Sequence, residues 1–316
     1  MVDQTFREFD VSAGGFALRG WPDETGVGRQ AVLVCPELGS AELLPVDSSA
    51  RMLSWCPPGN PANTLSDHVD DALGVLEAAG VKECTVVGWS AGTVVAVELA
   101  RRFSDRVRGL LLLAGPPTAA ADALLGALGV PEIVRRLLAA SGSASLRLTG
   151  GLLESITSRL PITDLATQLW RYSGLMSPDA DRSAAAAALR QLLPHDWRWH
   201  AELSLAWSAA ARTRVVELSC PLTVLAGQHD VLADFGSVAR AVAALPQARV
   251  RMLPTSHFIP FEAPEVVRDE LALLLRRVEA VECARLGIDP PPPTVRRIRV
   301  RTPEPGLRRR TEHPRP

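Results

Sequence analysis

The chain alternates short apolar runs with longer amphipathic ones. Residues 6–11 and 16–21 read as two short strands joined by a glycine turn, and 31–35 and 51–55 as a third and a fourth. Pro57-Pro58-Gly59-Asn60-Pro61 then breaks the pattern. From residue 65 to 79 the apolar positions return at helical spacing. Leu65, Val69, Ala72, Leu73 and Leu76 share one face, while Asp67, Asp70, Asp71 and Glu77 lie elsewhere. Gly80 follows where a helix would stop. Val86 and Val87 close a fifth strand, residues 93–100 read as a helix, and 107–113 as a sixth strand. Strands and helices alternating at these lengths predict an α/β fold with a mostly parallel sheet flanked by helices.

Gly115-Pro116-Pro117 interrupts this rhythm. From residue 116 to 212 the chain reads as Ala/Leu-rich helices without strand alternation. The sheet resumes near Cys220, with strands at 221–227 and 250–253 and a last helix over 264–286. The predicted organisation is a core of residues 1–115 and 213–286, an inserted helical segment over 116–212, and a tail over 287–316. The tail opens on Asp289-Pro290-Pro291-Pro292-Pro293 and is rich in Pro and Arg. It has few apolar residues to bury, so disorder is its expected state.

Composition narrows the class. At 316 residues and 47% hydrophobic content the chain can bury a full core, and its net charge of −1 does not mark a nucleic-acid binder. Lys82 is the only lysine, which fits codon bias rather than a phosphate-binding strategy. Cys35, Cys56, Cys84, Cys220 and Cys283 show no C-x-x-C spacing and suit reduced thiols. The first residues lack a signal-peptide pattern, and no apolar run reaches the length of a membrane span. A cytoplasmic protein with no membrane contact is expected. His195 and His200 have no further ligand cluster beside them, so neither a metal nor another cofactor is expected.

The chemistry concentrates in Gly88-Trp89-Ser90-Ala91-Gly92, between a strand and a helix. A G-x-S-x-G string in that context places the serine at the apex of a sharp turn, beside helix N–H groups that favour developing negative charge. The plainer alternative is an ordinary β–α turn with a buried, helix-capping serine. Two partners follow downstream. Asp230 stands in Gly227-Gln228-His229-Asp230 after one strand, and His257 stands in Ser256-His257-Phe258 after the next. All three lie just past strand ends, where an open α/β sheet places its ligands. In such a triad His257 would take the proton of Ser90, and Asp230 would hold the imidazole tautomer. Asp230 is preferred to Asp234 because it stands closer to the strand end.

These motifs, with His257-Phe258-Ile259-Pro260-Phe261-Glu262-Ala263-Pro264, resemble the α/β-hydrolase superfamily over roughly residues 5 to 285, and in particular its capped esterase, lactonase and haloperoxidase-like branch. The order Ser, Asp, His is the order of that fold. The resemblance implies that residues 116–212 are the helical cap. It also implies an oxyanion hole formed by the backbone N–H groups of Glu37 and Ala91, with Leu38 the donor if the register slips by one. Here the chain departs from the family. Cys35-Pro36-Glu37-Leu38-Gly39-Ser40 stands where His-Gly-x-x-Gly-Ser is usual. Glu37 either faces solvent or a nearby arginine, or serves as a second acid/base group. Leu38, Trp89, Trp170, Trp197, Trp199 and Phe258 are the expected substrate-binding residues. The cap tryptophans, Trp207 and Tyr172 among the cap aromatics, either line an apolar cavity or pack the cap's own core.

The leading expectation is a serine-triad hydrolase of a carboxylic ester, lactone or thioester with an apolar part, acting on a small molecule. The same fold and triad used for acyl transfer or elimination in a specialised-metabolite pathway is the second. A non-catalytic ligand-binding member is the third, and retention of all three triad residue types argues against it. The Arg-rich tail is a candidate contact for an acidic carrier protein.

Overall fold

A computed structural model describes residues 7–11, 16–20, 30–35, 50–55, 64–115, 163–172, 175–177, 179–192, 217–233, 242 and 245–292. In chain order these form β1 (Arg7–Val11), β2 (Phe16–Gly20), β3 (Ala31–Val34), β4 (Arg51–Trp55), α1 (Leu65–Ala78), β5 (Cys84–Trp89), α2 (Gly92–Arg102) and β6 (Val107–Leu113). Then follow α3 (Asp164–Arg171), α4 (Arg182–Leu192), β7 (Leu222–Gly227), β8 (Ala248–Leu253), α5 (Ile259–Glu262) and α6 (Pro264–Leu286). One sheet runs in the order β1-β2-β4-β3-β5-β6-β7-β8. The β1–β2 and β2–β4 pairings are antiparallel, and every pairing from β4 through to β8 is parallel.

The central strands are buried on both faces, as parallel strands under helices must be. Every residue of β5 and of β7 is buried. Period-two alternation then sorts their side chains between two cores. Leu33, Val86, Leu110 and Val224 meet Val69, Leu76, Val95 and Leu99 of α1 and α2 on one face. Val34, Val87, Leu111 and Leu225 meet Leu271 and Leu274 of α6 on the other. That second core also holds Leu175, Met176 and Ala185, which come from the stretch expected to be the cap.

Local reasoning explains most element ends. Thr64 caps α1 reciprocally: its hydroxyl accepts from the Asp67 N–H at 3.3 Å, and Asp67 accepts from the Thr64 N–H at 2.6 Å. The buried face of α1 differs from the expected one. His68 and Val75 are buried with Val69, Ala72 and Leu76, while Leu65 and Leu73 are only partly covered. The face is centred a little differently because α2 lies across it as well as the sheet. The last strand begins at Ala248, two residues before the apolar pattern does, because Arg249 and Arg251 pair with the buried Glu270 of α6 at 3.6 and 2.8 Å. Charged side chains also guard this outermost strand against pairing with another chain.

Cys35, Cys84, Cys220 and Cys283 are free and buried, whereas Cys56 lies outside the described residues. So do most of residues 116–212 and the tail beyond residue 292. Among the described residues no helix is long and apolar enough to cross a membrane.

Asp71 generates a pH prediction. Half-burial, reinforced by the charges of Asp67 and Asp70, pushes its carboxyl up to about 6. A folded value above the unfolded one means that the fold binds the extra proton, so stability falls as pH rises from about 4 through about 6. Asp71→Asn is expected to raise unfolding stability at pH 7.5 by about 1 kcal/mol, after discounting for solvent screening. Urea melts should show the two proteins converging near pH 4, and a constant difference across that range would contradict the assignment.

Candidate active site

Strand β5 turns into α2 without a loop. Ser90, the first of the two residues between Trp89 and the helix, has a φ of 52°, a conformation that costs a non-glycine residue on the order of 1–3 kcal/mol. Tertiary contacts hold it there. Its N–H donates to the Leu113 carbonyl of the neighbouring strand at 3.0 Å, and its own carbonyl accepts from the Thr93 N–H and hydroxyl at 3.1 and 2.5 Å. Gly88 makes the turn sterically feasible, since a Cβ there would lie 2.7 Å from the Gly92 carbonyl oxygen and the Thr93 Cα. Ser90 therefore does not cap α2, whose N-cap is Ala91. Its hydroxyl lies 2.7 Å from His257 Nε2 instead.

Asp230 arrives from β7. Past Gly227 the β7–β8 pairing continues through the Gln228 N–H to the Leu253 carbonyl and the His229 N–H to the Thr255 carbonyl, at 2.8 and 2.9 Å. The chain then turns, and the two carboxylate oxygens of Asp230 divide their partners. Oδ1 accepts from the Leu232 and Ala233 N–H groups at 2.9 and 3.0 Å. Oδ2 lies 2.9 Å from His257 Nδ1. Burial pushes this carboxyl up, but the His257 ring, its hydrogen bond and the two N–H groups together hold it below the usual carboxylate range. The geometry thus joins Asp230 to the histidine, while Asp234 lies outside the described residues.

His257 packs among aromatic rings. The Trp89 indole N–H donates to the His257 carbonyl at 2.9 Å. The Trp89 ring lies 6.2 Å from Phe258 and 5.9 Å from Phe261, edge to face in both cases. Trp170 of α3 meets Phe258 at 5.7 Å, also edge to face. Three of the residues expected to bind substrate thus gather in one aromatic cluster, with the Trp89 and Phe258 rings 6.3 and 6.1 Å from the imidazole. Trp89 and Phe258 are buried there, and Trp170 is partly exposed. Ala91 is buried at the start of α2, where helix N–H groups converge. Glu37, Leu38, Trp197 and Trp199 lie outside the described residues, as do Trp207, His195 and His200. Tyr172 is described and is largely exposed. Among the described residues no group of three His, Cys, Asp or Glu side chains converges on a point that could hold a metal ion.

Sequence reasoning passed over two participants. Glu262 and Ser256 stand in the quoted segment around His257 without an assigned role, yet they hydrogen-bond to each other at the residue just before His257. The six-residue spacing that joins them is set by a short helix, α5, and no local periodicity announces so brief a turn.

Residues 47–264 match the alpha/beta hydrolase fold family. The chain belongs to that family. A curated relative, the biotin biosynthesis bifunctional protein BioHC of Cellvibrio japonicus, is 25% identical over 233 residues, which is 72% of this chain and 41% of that protein. The chain thus spans about two-fifths of that relative. Among solved structures, a thermophilic esterase from Thermogutta terrifontis superposes with a TM-score of 0.60 at 20% identity, covering 87% of this chain and 99% of that one. The enol-lactonase from Burkholderia xenovorans LB400 does so with a TM-score of 0.58 at 17% identity, covering 85% and 99%. At such identities the likeness establishes the shared fold.

Gly227 supplies a test of how the acid and the histidine are brought together. A Cβ at this position would meet the Ser256 and Thr255 carbonyl oxygens at 2.3 and 2.4 Å. Both are backbone atoms of the segment leading to His257. Gly227→Ala is expected to push that segment away from Asp230 and cost about 1–3 kcal/mol of stability. Urea denaturation checks it; a variant as stable as the wild type would mean that the two strands are less tightly opposed than described.

Proposed function

We propose that this chain is a serine hydrolase of a carboxylic ester, lactone or thioester whose acyl or alcohol part is apolar. One observation carries the reading: Ser90 Oγ, His257 and Asp230 Oδ2 form a continuous relay, with contacts of 2.7 and 2.9 Å on the two nitrogens of one imidazole. Ser90 Oγ attacks the carbonyl carbon while its proton passes to His257 Nε2. The Nδ1–H remains on His257 and donates to Asp230, whose negative charge steadies the imidazolium that forms. The new oxyanion meets the N–H of Ala91 at the start of α2, with the N–H of Glu37 as its second donor. Such preorganised donors are commonly the largest single contribution, each worth on the order of 10²–10³ in turnover. The imidazolium then protonates the leaving group, and His257 next draws a proton from water to release the acyl group.

The apolar preference rests on the neighbours of the relay. Trp170, which is partly exposed, packs on Phe258, whose ring lies 6.1 Å from the His257 ring, so the described part of the cap brings an apolar side chain close to the relay. The names of the esterase and the enol-lactonase are consistent with ester or lactone chemistry on this fold. Leu38, Trp197 and Trp199 complete the proposed substrate surface. The four buried thiols suit a cytoplasmic setting.

Two measurements test the mechanism. Ser90→Ala and His257→Ala should each lower kcat/KM on p-nitrophenyl esters by on the order of 10³-fold or more, and the double variant by little beyond that. Should Ser90→Ala keep substantial activity that His257→Ala loses, the covalent route is wrong and a histidine-centred elimination takes its place. Asp230→Asn should keep the fold and lower turnover by on the order of 10²–10⁴, through the wrong imidazole tautomer. A pH–rate profile and circular dichroism on the same preparation check both halves, and near-wild-type turnover would remove Asp230 from the relay.

A further inference from the structure

His257 does not reach Ser90 on its own loop's stiffness. The residue before it, Ser256, is fully buried, and both of its polar groups end on one side chain. The Ser256 N–H donates to Glu262 Oε2 at 2.7 Å, and the Ser256 hydroxyl donates to Glu262 Oε1 at 2.7 Å. The same hydroxyl oxygen accepts from the Phe258 N–H at 3.2 Å, so the backbone on both sides of His257 is tied to one carboxylate. Glu262 also accepts a third hydrogen bond, at 3.0 Å, from the Ser177 N–H. Ser177 lies 85 residues away, in the segment between the two described cap helices. Its hydroxyl donates to the Pro254 carbonyl at 3.2 Å, three residues before His257. The preceding Leu175 and Met176 sit in the same apolar core as Phe258 and Ile259.

The chemistry of the three donors singles out a carboxylate. Two oxygens with several lone pairs can take two N–H groups and a hydroxyl at once, whereas an amide would turn its NH₂ toward one of them. Hydrogen bonds to a charged acceptor are also the stronger kind. If the acceptor is removed, three buried or half-buried donors lose their partner together, and the segment carrying His257 must rearrange to find others.

We infer that Glu262 is a positioning residue for His257, and that it couples the seating of cap residues 175–177 to the alignment of His257 with Ser90. The inference rests on the reading of Ser90 as the nucleophile. The reacting pair is sensitive to that alignment, because a misplacement of about 1 Å can cost on the order of 10²-fold in rate.

The experiment uses the full chain with Glu262→Ala, Glu262→Gln and Ser256→Ala. Each is assayed well below its own melting temperature, with the folded fraction fixed by circular dichroism. Two rates are read: labelling of Ser90 by a fluorophosphonate, located by mass spectrometry, and kcat and KM on a p-nitrophenyl ester. Per folded molecule, Glu262→Ala should lose about 10²-fold in labelling and in kcat, with KM changed far less. Glu262→Gln keeps one acceptor oxygen and should recover about tenfold of that loss; Ser256→Ala keeps its N–H bond and should fall between wild type and Glu262→Ala. If Glu262→Ala does not fold, the other two variants carry the test. Lower melting temperatures with unchanged labelling and kcat per folded molecule would overturn the inference, leaving Glu262 a purely structural residue. A wild type whose Ser90 is not labelled, or an active enzyme that loses nothing in Ser90→Ala, would sink the nucleophile assignment and this inference with it.

Discussion

The site depends on one strained residue. Ser90 holds a φ of 52° because a buried strand must pass into a buried helix with only Ser90 and Ala91 between them. That conformation lifts the hydroxyl clear of the backbone and aims the first N–H groups of α2 at the same space. It is stable only because its surroundings over-determine it. Gly88 admits the start of α2 at van der Waals distance, Leu113 holds the serine N–H, and Thr93 holds its carbonyl. The parallel sheet supplies the rigidity behind these contacts, since β5 is flanked by β3 and β6 and covered on both faces.

Around that fixed point the other partners are delivered by segments that hold one another. Asp230 spends one carboxylate oxygen on its own turn and the other on His257, so a single group orients both. The histidine is held by its carbonyl, through Trp89, and by the residue before it, through Glu262. Trp89 directly precedes Ser90, so the strand that leads to the serine also grips the loop bearing the histidine. Glu262 accepts from Ser177 as well, and Trp170, Phe258 and Phe261 pack together through their rings. The distance between Ser90 and His257 is therefore a property of three chain segments packed as a unit.

Much of this was legible in the amino-acid order. The strands of the parallel sheet, the amphipathic α1, the elbow and the order Ser, Asp, His all follow from local patterns, because each depends on periods of two or 3.6 or on glycine at a tight turn. The final helix, Pro264–Leu286, follows from its pattern in the same way. The choice of Asp230 rested on its spacing after Gly227, and the hydrogen bond to Nδ1 joins it to the histidine. What local patterns could not say was which side chains would pack around the imidazole. Trp89 stands beside Ser90 in sequence, yet its indole N–H holds the carbonyl of the histidine 168 residues away, because alternation along β5 sends its ring to the core that α6 covers.

The fold family and the three residue types that meet are written in short-range spacing and can be read from the chain. That they meet at hydrogen-bonding distance, and what holds them there, arises only when distant segments pack. Glu262 stands in the segment that carries the resemblance, with Ser256 just before that segment and Ser177 far away, yet nothing in the local pattern assigns any of the three a role. Their role comes from long-range packing, which sets two serines against one carboxylate across a separation of 85 residues. A hydrogen-bond network of that reach leaves no periodic trace in the chain, because its geometry exists only once the sheet, the short helix α5 and the cap segment have packed together.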